Sequence, residues 1–230
     1  MIKRELKINL KTFLVWGLSI SALLTLIFCI YPTISNNVEI DKLLKALPEE
    51  ILKGFNFDAV SISTVFGWYA SEGFMIATLI GALYAASLGS TIILKEESDK
   101  TIEFLYAKPV SRNKILGSKI IVAIFYICLF NLLLMLVTGI GFALTDELPV
   151  TKWLLLTISP IFIQLALFFI TAFIATFFTK TCKAMGISFG LVMGTYVINM
   201  IAQMSDKVNF LKFFTSFGYI DASTIIKTEA

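Results

Sequence analysis

Five long apolar runs, 13–31, 68–94, 120–144, 153–178 and 184–204, leave this chain one kind of fold. Each is close to the roughly 20 residues that a helix needs to cross about 30 Å of hydrocarbon. Within a bilayer, every backbone N–H and C=O must be satisfied inside its own helix or around a closed barrel. The alternation of a barrel strand is absent, so the runs predict an all-α, polytopic helical membrane protein, one transmembrane domain over residues 1–230. Charged residues make up only 15% of the chain, against about 25% in soluble domains.

The first run follows Lys3, Arg4, Lys7 and Lys11, as in a signal peptide. Its apolar core is too long and no A-x-A-type site follows, so it is expected to stay as an anchor. The same basic residues alternate with Ile2, Leu6, Ile8 and Leu10, which fits either a plain basic flank or a short helix lying along the membrane surface. Between the first two runs, in segment 32–67, Ile40, Leu43, Leu44, Leu47 and Ile51 recur at helical spacing. With Pro48 suited to a first turn and Gly54 to a stop, they predict one or two short interfacial helices.

Lys and Arg in the loops set the orientation. Four precede the first run, six lie in 95–119, and Lys180 and Lys183 bring that side to twelve; the other side holds seven. The N-terminus is therefore expected to be cytoplasmic, in a multi-pass cell-membrane protein. The formal charge of +3 reflects this asymmetry and the inner-face lipids, and carries no nucleic-acid signature.

Small residues recur every fourth position in two runs, Gly81, Ala85 and Gly89 in the second and Gly186, Gly190 and Gly194 in the fifth, a pattern that lets neighbouring helices approach closely. Pro160 should kink the fourth run near its start and free a carbonyl that another group must satisfy. Of the few polar residues in the runs, Asn131 and Gln164 are read as hydrogen-bonding between helices. Glu72 follows Trp68 and Tyr69, which favours snorkelling to water over a role in transport. Cys29, Cys128 and Cys182 have no paired spacing and read as small apolar fillers.

The chain has no histidine, which excludes a Ser-His-Asp triad, an H-E-x-x-H zinc site and histidine-ligated haem. Gly186, Ser188 and Gly190 match G-x-S-x-G, but with no base and inside an apolar run, so an intramembrane hydrolase is a weak reading. No catalytic residue, metal ligand or cofactor-binding residue is expected. A phosphate-binding G-x-x-x-x-G-K-[ST] loop is also absent, so any work done with ATP must draw on a partner.

The main concentration of charge is the loop 95–119. The second run is expected to continue as helix through Glu96 and Glu97, Ile102, Leu105 and Tyr106 to form an apolar stripe, Pro109 to break it, and Ser111 to cap a new helix from Arg112. The order Glu96 or Glu97, Thr101-Ile102-Glu103, Pro109-Val110-Ser111-Arg112, Ile115 and Lys119 resembles the loop between the second and third spans of type 2 ATP-binding-cassette exporter permeases, the membrane subunits of bacterial ABC transporters. The resemblance covers most of the chain. It implies a coupling element docked on a separate ATPase subunit that binds the ATP, with Glu96, Glu97, Glu103, Arg112 and Lys114 as polar contacts, Ile102, Leu105 and Tyr106 as apolar anchor, and Pro109 as the elbow. It also implies a second permease copy. Two departures stand out. Lys100 occupies a position usually held by glycine, so the turn there is expected to be less sharp. The family has six spans against five here, which implies a natural variant or a missing C-terminal part. A non-transporting membrane interaction, assembly or immunity protein is the alternative.

The charge bias generates a test. Single cysteines at Ser98 and Asn56, in a background lacking the native three, should react with an impermeant reagent on intact cells only at position 56. Labelling of 98 alone would reverse the topology.

Overall fold

The computed structural model describes residues 2–35, 64–103, 111–145, 149–204 and 206–220. The expected short helices around 40–54 lie outside these residues. The described chain is helical, with α1 (Ile2–Ser35), α2 (Val65–Trp68), a π-helical turn (Tyr69–Gly73), α3 (Phe74–Ser98), α4 (Arg112–Ala143), α5 (Val150–Ile158), α6 (Pro160–Ala175) and α7 (Thr181–Met204). Two 3-10 segments, Asp206–Phe214 and Ser216–Tyr219, follow. Among the described residues, five helical stretches are long and apolar enough to cross a membrane: Ile2–Thr33, Val65–Ser98, Arg112–Ala143, Val150–Ala175 and Thr181–Met204.

These stretches run past the apolar residues that announce them. α1 is one continuous helix of 34 residues, about 51 Å long at 1.5 Å per residue. The basic N-terminal stretch is therefore the first three turns of the first span and not a separate helix lying flat.

α3 is the hub. Tyr84, Ala85, Ala86 and Leu88 on it are fully buried, and it packs against α6, α7, α4 and α1. Small residues make this possible on the α6 side. A Cβ on Gly81 would collide with the Gln164 amide, and one on Gly89 would lie 2.6 Å from the Phe168 carbonyl oxygen and 3.0 Å from the Ala172 nitrogen. Gly186, Gly190 and Gly194 stand on an exposed face of α7, where an added Cβ would meet nothing within 4 Å. Outward faces of α1, α4 and α6 present Leu18, Ile140 and Phe173, as helices bathed in lipid do. The three cysteines, read as small apolar fillers, lie exposed on the bundle surface.

The fourth span divides at Pro160, as the sequence predicts. Proline has no N–H to donate to Leu156, four residues back, and the Ser159 hydroxyl donates to that carbonyl instead (3.3 Å). Asn131 on α4 and Gln164 on α6 pair through both amides, at 2.6 and 3.3 Å, in the buried middle of the bundle. At the end remote from the N-terminus, Phe28, Tyr69 and Phe142 pack ring against ring, and Trp68 donates to the Ile27 carbonyl (3.1 Å).

Gly89→Ala should destabilise the protein by about 1–3 kcal/mol, because the new methyl meets backbone that cannot swing aside. Gly190→Ala, on open helix surface, should stay within about 0.5 kcal/mol. Unfolding titrations in mixed detergent measure both, and equal midpoints would contradict the close α3–α6 approach.

Candidate functional site

The N-terminus of α1, the turn after α3, the start of α4 and the start of α7 gather at one end of the bundle. The side chains that place them there are specific. Ser98 hydrogen-bonds Thr181 (3.3 Å), and the Tyr126 hydroxyl on α4 donates to the Leu6 carbonyl on α1.

α3 closes in a tight turn. The Asp99 N–H donates to the Lys95 carbonyl (2.9 Å), Lys100 N–H to Glu97 (3.1 Å) and Thr101 N–H to Glu96 (2.8 Å). The last two bonds form a Schellman motif, whose residue after the cap normally adopts the left-handed conformation as glycine. Lys100 takes it at φ 55°. The expectation of a looser turn is thus overturned: two hydrogen bonds hold a side-chain-bearing residue where glycine usually sits, against a cost of about 1–2 kcal/mol.

Below this turn lies a buried ion pair. Lys119, on α4, donates to the Ile92 carbonyl (2.6 Å) and to the Glu96 carboxylate. Lys119 is 4% exposed and Glu96 5%, a degree of burial that charged groups tolerate only when paired and hydrogen-bonded. Glu5 on α1 is buried as well, within electrostatic reach of both. Its carbonyl accepts from the Asn9 amide (2.9 Å).

The residues expected at a docking surface therefore separate. Glu97, Glu103, Arg112 and Lys114 are exposed and Ile102 is half-buried. Glu96 differs from its expected outward contact, because Lys119 draws its carboxylate inward. Leu105, Tyr106 and Pro109 lie outside the described residues. α4 begins at Arg112 as expected and continues unbroken through the third span; Ser111 holds the N-cap position by backbone alone, its hydroxyl making no capping bond. A cleft of about 230 Å³ opens between Ile93, Ile102, Arg112 and Ile115, with Glu96 and Lys119 also lining it.

Sequence reasoning missed the roles of Lys119, Glu5 and Asn9. A signal was present for the first: Glu96 and Lys119 are charges close to the apolar run on either side of the loop. Ser188 sits mid-helix in α7, fully buried, with no hydrogen-bond partner among the described residues. It occupies no strand-to-helix elbow. Among the described residues, no group of three or more His, Cys, Asp or Glu could hold a metal.

The bundle and its charged end fit a membrane subunit, and comparison of the whole chain decides the family. The family model described as ABC-2 family transporter protein matches residues 2–224. The chain belongs to the ABC-2 transporter family. Comparison with curated proteins and with solved structures gives no match. ABC-2 family membrane subunits generally pair with ATPase subunits, which fits a chain without a phosphate-binding loop.

Relieving the strained turn gives a direct check of it. Lys100→Gly should raise stability in detergent by up to about 1 kcal/mol, whereas glycine at an ordinary helical position costs about that much. An unfolding midpoint lower than the parent's would refute the left-handed assignment.

Proposed function

We propose that this ABC-2 family protein is the permease subunit of an exporter, driven by separate cytoplasmic ATPase subunits that dock on the 95–119 loop. The observation that carries the reading is the turn after α3. It is fixed by backbone hydrogen bonds, anchored from below by Lys119, and rimmed by exposed Glu97, Glu103, Arg112 and Lys114 of both signs. A charged, mixed-sign rim on a rigid support suits a specific protein partner, because electrostatic complementarity selects the partner and its orientation. Ile102, half-buried at the edge of the cleft, starts the apolar stripe that Leu105 and Tyr106 continue in sequence.

In this reading the N-terminus lies in the cytoplasm, beside the ATPase, as the loop charges favour. ATP is bound and hydrolysed by the partner, and Ser188 has no chemical role. A second permease copy completes the transporter, and the open Gly186, Gly190 and Gly194 face of α7 offers a surface for close helix contact.

Truncating Leu105 and Tyr106 together to alanine removes the apolar anchor. Central anchors of this kind cost about 2 kcal/mol or more at interfaces, roughly thirtyfold in affinity. Pull-down of the ATPase from detergent extracts, with ATP turnover in reconstituted vesicles, measures the loss. A double variant that folds, reaches the membrane and still holds and stimulates the ATPase like the parent would refute the coupling assignment.

A further inference from the structure

We infer that the buried Lys119–Glu96 pair is the mechanical tie that carries movement of the docking turn into α4. This rests on the permease reading above and names the residues through which it works.

Glu96 is held at both ends. Its carbonyl accepts the Thr101 N–H that closes the turn, and its carboxylate meets Lys119. Displacement of the turn therefore reaches Lys119 through a single residue. Lys119 also grips the Ile92 carbonyl, one helical turn earlier (2.6 Å). Two attachments along α3 stop the lysine from swivelling, so that α3 and α4 move together at this end.

Glu5 brings α1 to the same point. It is a second buried carboxylate within electrostatic reach of Lys119, and the turn of α1 that carries it is held to α4 by the bond from Tyr126 to the Leu6 carbonyl. The last turn of α3, which bears the docking loop, is thus bonded to α4 through one ammonium group, and α4 in turn to α1 through the Tyr126 hydroxyl.

Stability alone does not account for such an arrangement. A buried ion pair commonly adds little over apolar side chains of similar volume, because desolvation offsets the attraction. What it supplies is direction: a defined register between α3 and α4 that apolar contacts, free to slide, do not impose. Lys119 and Glu96 are in these terms positioning residues.

The test replaces both partners, Lys119→Met with Glu96→Gln, since removing one alone would leave an unpaired buried charge and threaten folding. The parent and the double variant are purified with the ATPase subunit that accompanies the parent, in a background lacking the three native cysteines. Nitroxide labels are placed at Leu116 on α4 and Lys183 on α7, both exposed, and pulsed electron paramagnetic resonance gives their separation without nucleotide and with ATP trapped by vanadate. The expected result is a nucleotide-dependent change in the parent that falls to less than about half in the double variant, while ATPase association stays within about threefold and the unfolding midpoint is retained. A double variant whose change equals the parent's overturns the inference and leaves the permease reading intact, as does a parent complex that hydrolyses ATP with no change in separation. A parent that retains no ATPase overturns the permease reading and this inference with it.

Discussion

The close approach of α3 and α6 is the constraint on which the rest of the bundle depends. In hydrocarbon, apolar side chains gain little by leaving lipid for protein, so helices associate by fit and by polar bonds. Gly89 lets α6 backbone come within van der Waals range of α3, and Gly81 leaves room for the Gln164 amide. That approach in turn sets Gln164 opposite Asn131, so that a glycine on one helix determines a hydrogen bond between two others.

Polar groups inside such a bundle are costly unless satisfied. Lys119 spends its donors on a carboxylate and a backbone carbonyl of the same helix. Asn131 uses one amide group for its own helix, at the Ile127 carbonyl (2.8 Å), and for its neighbour. Each polar contact fixes a register that the surrounding leucines and phenylalanines would leave open.

How much of this could be read beforehand follows from which physics the sequence displays. Five spans were legible because hydropathy over some twenty residues is a strong signal, and the break at Pro160 because proline lacks a donor. The amide pair was legible because polar residues in spans are few and need partners. The facing of each helix was not. In water, amphipathicity marks the buried side; here both sides are apolar, so the exposure of Cys29, Cys128 and Cys182 and of the α7 glycines had no compositional sign. The Glu96–Lys119 pair depends on the antiparallel register of α3 and α4 across the loop, which local pattern does not encode. At Lys100 the local rule pointed the wrong way, because two hydrogen bonds to the last turn of α3, from the N–H groups of Lys100 and Thr101, outweigh the preference of a single residue.

The division of the fourth span at Pro160 has a mechanical consequence. α1 packs chiefly on α4, and α7 and α6 on α3, so the helices sort into two groups. α5 leans on α4, where Trp153 donates to the Thr138 hydroxyl (3.0 Å), whereas α6 is keyed into α3. One span thus belongs to both groups, and its break falls where they meet. A hydrogen-bonded ladder continuous through that point would hold α5 and α6 to one line. Missing one rung, with the Ser159 hydroxyl taking up the carbonyl, the span is released from that constraint, and each half follows the helix it is keyed to.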